Sequence, residues 1–224
     1  MKRILLSIAM CCLSMISMGQ KDVTKFLGIP VDGSKSEMIR KLKAKGFSQN
    51  PYSGALEGVF NGCNVFIKVI TNNDKVCRVM ICDAGSMDET NIKNRFNILC
   101  KQFSRNSKYY PSGKSYMLKE DERISYEMIV NKKRYEAGYL QMPDTSLSSY
   151  KEGLQNVIAS TYTEEELNNP SKEVLDGIRE ISSRYEFDKA VNKSVWFMID
   201  RDADEYYIRM FYDNEYNRSH GEDL

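Results

Sequence analysis

Apolar residues along this chain recur with two periods, and the switches between them outline the fold. From Ser34 the period is helical: Met38, Ile39 and Leu42 form one stripe, and Gly46 supplies a left-handed stop. Ser34-Lys35-Ser36-Glu37 reads as a capping box, in which each side chain satisfies the other residue's free backbone N–H. The period then becomes two. Ala55–Phe60, Cys63–Ile70 and Val76–Cys82 read as strands, parted by the tight-turn dipeptide Asn61-Gly62 and by Thr71-Asn72-Asn73-Asp74. Val65, Ile67 and Val69 share one face, as do Cys77, Val79 and Ile81, so position 67 is expected opposite 77 or 79. That register puts Cys63 and Cys82 on opposite faces, and no bond between them is expected.

A second capping box, Ser86-Met87-Asp88-Glu89, predicts a helix whose buried stripe is Ile92, Phe96, Leu99 and Phe103. Ile124–Val130 alternates apolar and polar residues and is expected to pair with Tyr135–Met142 around Asn131-Lys132-Lys133-Arg134. From Ser148 to Val191 the pattern is helical again. Leu154, Val157 and Ile158 form one stripe and Leu175, Ile178 and Ile181 another, with Asn168-Asn169-Pro170 between them.

A last hairpin joins Ser194–Ile199 to Glu205–Tyr212. Pairing Asp200 with Glu205 sets Phe197 opposite Ile208 and Val195 opposite Met210 on the core side. The other face then carries Trp196, Met198, Tyr207, Arg209 and Phe211, with Trp196 across from Arg209. An arginine over an indole beside a tyrosine has the composition of binding hot spots, which makes Trp196, Tyr207, Arg209 and Phe211 the candidate binding residues. The competing expectation is that the Leu175–Ile181 helix covers this face as a second core layer.

This order of elements predicts an α+β fold, with antiparallel β-sheet from successive hairpins and helices packed on one face. Helix-then-hairpins occurs more than once, which admits a degenerate tandem repeat. Residues 20–224 read as a single domain with sub-modules 20–85 and 86–224.

The front of the chain has a separate grammar. Met1-Lys2-Arg3 is a positive n-region, Ile4–Met18 an uncharged apolar run, and Ser17-Met18-Gly19 a small-x-small cleavage site. Residues 1–19 are therefore read as a signal peptide, with a mature chain starting near Gln20 that is periplasmic or secreted. Cys11 and Cys12 do not fit lipidation, since Met10 precedes them and apolar sequence follows. The run is shorter than the roughly 18–20 residues that span a bilayer, and no transmembrane segment is expected in the mature chain.

Composition narrows the chemistry. The chain is 42% hydrophobic and 28% charged with net charge +1, so no single-signed field exists to hold nucleic acid. One histidine, His220, stands close to the end of the sequence and is not expected to be catalytic. Asp200-Arg201-Asp202-Ala203-Asp204 has the alternating acids of a calcium loop, but Glu205 stands in its glycine place and Phe211 in its glutamate place. A polar hairpin turn is expected there and no metal. No Gly-rich phosphate loop, CxxC pair or nucleophile elbow occurs, and no cofactor is expected.

Phe26-Leu27-Gly28-Ile29-Pro30-Val31-Asp32-Gly33-Ser34, on through Lys45-Gly46-Phe47, resembles the opening of uncharacterised exported proteins of Bacteroidetes. Tyr212-Asp213-Asn214-Glu215-Tyr216-Asn217 and the end Gly221-Glu222-Asp223-Leu224 are similar to the tail of that group. The helix-then-antiparallel-sheet order also resembles the modules of β-lactamase-inhibitor protein and of outer-membrane assembly lipoproteins. Neither resemblance carries a catalytic motif. The expected function is that of a non-enzymatic binding protein of the cell envelope or exterior, with a protein or surface polymer as partner. The alternative is a glycan hydrolase working through a carboxylate pair, for which runs such as Glu120-Asp121-Glu122 and Glu164-Glu165-Glu166 supply candidates.

Overall fold

The computed structural model describes residues 22–219; residues 1–19, read above as a signal peptide, and His220 lie outside them. These residues form two compact units. The smaller spans Asp144–Ser182 with Asp22, and the larger comprises the rest.

The larger unit is α+β. A two-residue hairpin, β1 (Lys25–Phe26) with β2 (Ile29–Pro30), turns on Leu27 and Gly28, whose φ angles are +51° and +79°. Then follow α1 (Lys35–Ala44), β3 (Ser48–Gln49), β4 (Leu56–Phe60), β5 (Cys63–Asn72) and β6 (Lys75–Asp83). After them come α2 (Glu89–Arg105), β7 (Tyr109–Pro111), α3 (Ile124–Ile129) and β8 (Glu136–Gln141). The last strands are β9 (Ser194–Asp202) and β10 (Glu205–Asp213). Strands β3 to β10 make one antiparallel sheet in the order β3-β4-β5-β6-β10-β9-β8-β7.

That order is a palindrome. A helix and four strands, α1 with β3–β6, is answered by α2 with β7–β10, and the two sets meet where their final strands pair. Met38 and Leu42 of α1 and Ile92, Phe96, Leu99 and Phe103 of α2 are buried in one core with Val65, Ile67, Val79, Phe197 and Met210. The core side of the sheet is thus set by the alternation that the sequence shows.

The smaller unit contains α4 (Ser148–Thr161), α5 (Glu164–Asn168) and the first part of α6 (Lys172–Ala190), which continues into the larger unit. Thr163 caps α5 in a full capping box with Glu166. A Cβ on Gly177 of α6 would come 1.9 Å from the Tyr162 hydroxyl, so the glycine makes room for that ring.

Several expectations need correction. Ile124–Ile129 is a short helix, not the first strand of a hairpin, and Tyr109–Pro111 takes its place beside β8. Six residues are too few to separate a period of two from one of 3.6, and only Ile124 of this stretch is buried. Ser86 does not cap α2. Asp88 does, accepting from Asn91 N–H, while Ser86 Oγ donates to Glu205. Ser34 caps α1 by accepting from Glu37 N–H, but the Glu37 carboxylate turns instead to Lys41 at 3.0 Å.

Both strand registers also shift by whole pairs, which preserves every face. Ile67 stands opposite Ile81 rather than residue 77 or 79. The turn uses only Asn73-Asp74, and Cys77 is an extra bulged residue between the pairs Ile70–Arg78 and Thr71–Val76. The last hairpin turns on Ala203-Asp204, so Asp202 rather than Asp200 faces Glu205, and Phe197 meets Met210. Cys63, Cys77, Cys82 and Cys100 are all free thiols.

Candidate functional site

The two registers lay out the sheet face opposite the core as a grid. One row runs Phe66, Cys82, Arg209, Met198 across β5, β6, β10 and β9. The next runs Lys68, Met80, Phe211, Trp196. The third sets Ile70, Arg78 and Asp213 side by side. Trp196, Tyr207, Arg209 and Phe211 are therefore brought to one face, as the alternation requires.

Their partners differ from the expected ones. Trp196 stands opposite Phe211, and the rings stack with centroids 4.1 Å apart and planes 22° from parallel. Arg209 stands opposite Met198. The cation near the indole is Arg78 of β6, with Cζ 5.6 Å from the Trp196 centroid and 4.7 Å from that of Phe211. The shift by one pair in the final turn accounts for this, since it moves Arg209 two residues along the strand from Trp196.

Asp213 organises the group. Its side chain is 0% exposed, and its carboxylate accepts from Arg78 Nε at 2.5 Å, Arg78 Nη2 at 2.8 Å and Trp196 Nε1 at 2.9 Å. A buried carboxylate must be paired and hydrogen-bonded to avoid a desolvation cost of several kcal/mol, and these donors supply that. The Asp213 hydrogen bond in turn pushes the Arg78 guanidinium above its usual range. The indole is thereby held in place by its ring partner on one strand and its N–H acceptor at the end of that strand.

Arg209 and Tyr207 make a second, looser group. Arg209 Nη2 lies 2.8 Å from Asp200 Oδ2 and donates to the Tyr207 hydroxyl at 3.0 Å. Arg209 Nε is buried without a hydrogen-bond partner. Burial, followed by the Asp200 charge, pushes the Tyr207 hydroxyl up, and burial pushes the Cys82 thiol up as well. Phe66 is 40% exposed and half-buried Met198 and Met80 flank the row, so apolar surface adjoins these polar groups.

Arg78 and Asp213 were not among the sequence candidates. Arg78 is two residues before Met80 on the outward side of β6, which alternation alone shows. That β6 would lie against β10 depends on a pairing between segments 135 residues apart, for which no local pattern exists.

Of the carboxylates singled out, Glu122 lies in a cleft of about 300 Å³ with Phe96, Tyr116, Lys133 and Tyr135. Lys133 Nζ and the Tyr135 hydroxyl each donate to it at 2.5 Å, Lys133 foremost, and hold its carboxyl below the usual range. A general acid for glycoside cleavage needs the opposite shift. Among the described residues no cluster of three or more His, Cys, Asp and Glu could hold a metal ion, and no helix is long and apolar enough to cross a membrane. Comparison with protein-family models, with curated proteins and with solved structures finds no match to this chain.

Proposed function

We propose that the protein is an exported, non-enzymatic binding protein that engages another protein or a surface polymer through the sheet face bearing Trp196, Tyr207, Arg209 and Phe211. The observation that carries this reading is the fixing of Trp196 by the Phe211 ring and the Asp213 carboxylate. A large amphipathic side chain already locked in one rotamer loses little conformational entropy when a partner covers it, which is how rigid aromatic anchors gain affinity. Tyr207 and Arg209 extend the same face with a partly exposed hydroxyl and a partly exposed guanidinium. Export is supported by the three-part leader pattern of residues 1–19.

Capture from native envelope extracts, with wild-type chain and with the Tyr207→Ala/Arg209→Ala double variant as bait, tests the reading. A partner retained by the first and lost by the second, while the variant still melts cooperatively well above the assay temperature, supports it. Equal capture by both removes this face as the binding surface. Intact mass of the natively exported protein tests the leader: a chain starting near Gln20 is expected, and a retained Met1 or a diacylglycerol adduct on Cys11 or Cys12 overturns that part.

A further inference from the structure

Strand β5 is longer than its neighbour β4. Their pairing stops at Leu56 with Ile67, yet β5 continues to Asn72. Asn72 and Lys75 flank the two-residue turn and so point their backbone groups at each other. By alternation Ile70 does the same, and its carbonyl accepts from Cys77 Sγ on β6 at 3.5 Å. Val69 and Thr71 then turn their N–H and C=O groups the other way, to the side where β4 has ended. No strand among the described residues pairs with them there.

A cavity of about 450 Å³ lies along this edge, walled by Lys35 and Ile39 of α1 and by the chain leading into β4. It adjoins a second of about 470 Å³ that shares Lys35, Ile39 and Thr71. Leu56 and Val69 give the first cavity an apolar lining, and its charged residues are Lys35 and Lys68 with no carboxylate; Asp74 enters only in the second. A free strand edge beside an apolar groove is the geometry by which an extended peptide adds to a sheet, main-chain bonds giving affinity and alternate side chains specificity.

We infer that the β5 edge at Val69 and Thr71 is a docking site for an extended acidic segment of another protein, which adds as a strand in line with β4. Charge selects the occupant. Two copies of this chain joined at the edge would bring two sets of the Lys35 and Lys68 charges to one seam with no carboxylate from the groove between them, which disfavours self-pairing. A strand with acidic residues at alternate positions sets them on the outward face beside Lys68 and its intervening apolar side chains on the core side over Val69 and Leu56, while Lys35 of α1 adds a second positive charge to the groove. The site shares Lys68 with the outward face that bears Trp196 but centres on the backbone edge of β5, three strands away from β9, and it stands whether or not Trp196 binds a partner.

The test uses the full chain and a fluorescein-labelled peptide of alternating valine and glutamate, followed by anisotropy and by amide NMR shifts. Saturable binding with the largest shifts at the Val69 and Thr71 amides is expected. Lys35→Glu/Lys68→Glu should weaken it roughly tenfold or more at unchanged melting temperature, because both side chains are exposed and an acid in the first turn of α1 suits the helix dipole. N-methylation of alternate peptide amides should abolish it. Equal binding of a valine–lysine peptide, of the N-methylated peptide or by the charge-reversed variant overturns the proposal, as does a chain dimer in light scattering whose edge amides are already protected from exchange.

Discussion

Arg78 and Asp213 are directly opposed residues of β6 and β10, and two hydrogen bonds of 2.5 and 2.8 Å join the guanidinium fork to the carboxylate. The pair sits at the junction of the two strand sets, and Thr24 Oγ1 donates to the Asp213 main-chain carbonyl at the same point. Removing Asp213 leaves the partly buried Arg78 guanidinium and the Trp196 N–H together without their acceptor. Asp213→Ala should therefore cost about 3–5 kcal/mol in chemical denaturation, against a smaller loss for a Trp196→Phe change that deletes only the indole N–H.

Trp196→Ala should destabilise by about 2–4 kcal/mol, since it removes the Phe211 stack and one Asp213 donor together. Tyr207→Ala and Arg209→Ala should each stay within about 1 kcal/mol of wild type, because the Arg209–Asp200 pair is partly exposed. Thermal melts of the three variants check this ordering. A Trp196→Ala chain as stable as wild type would contradict the anchoring described.

Stability should fall above about pH 9. Burial, foremost, raises the Cys100 thiol from 9.0 to about 11, and the Tyr139 hydroxyl from 10.0 to about 12. Both groups are favoured protonated in the fold, so their contribution is complete below the unfolded values and is lost as pH rises through the folded ones. The Cys100 contribution is on the order of 2 kcal/mol. Urea midpoints between pH 8 and 11 measure the slope. Cys100→Ala should flatten its lower part, and an unchanged slope would refute the assignment.

Gly58→Ala should cost about 1–3 kcal/mol, because a Cβ there would lie 2.6 Å from the Phe47 ring. In the double variant with Phe47→Ala the glycine change should become nearly neutral. A double-mutant cycle reads the coupling, and additive losses would show that the ring is free to move aside.

Faces were legible in the sequence where partners were not. The alternation of Val195, Phe197 and Ile199 against Trp196 and Met198 fixes which side of β9 meets the core, and a slip by a whole pair leaves that unchanged. Partners depend on one residue more or less at a turn. Ala203 adopts φ +51°, a conformation its side chain does not advertise, and this tightens the loop to two residues and moves Arg209 away from Trp196. Cys77 enters its strand as an extra residue for which no composition signal exists. The segment 124–129 failed for a different reason, since Ile124, Tyr126 and Met128 fit an alternating pattern while the chain closes helical turns instead. Asn131 N–H and Lys133 N–H both donate to Glu127 O, a closure invisible to apolar periodicity.

The palindromic strand order fixes a sequence of events in folding. Hairpins β4–β5, β5–β6 and β9–β10 are local in the chain and can form early, each at small loop-closure cost. The β6–β10 seam cannot: Arg78 must wait for Asp213, with the helical segment 144–182 already emerged between them. Until then the growing chain carries β6 as an open edge with Val79 and Ile81 beside it, the state in which β-rich intermediates aggregate. Refolding is therefore expected to be slower than the closing of the local hairpins, limited by the β8–β9 and β6–β10 pairings that must span the 144–182 segment.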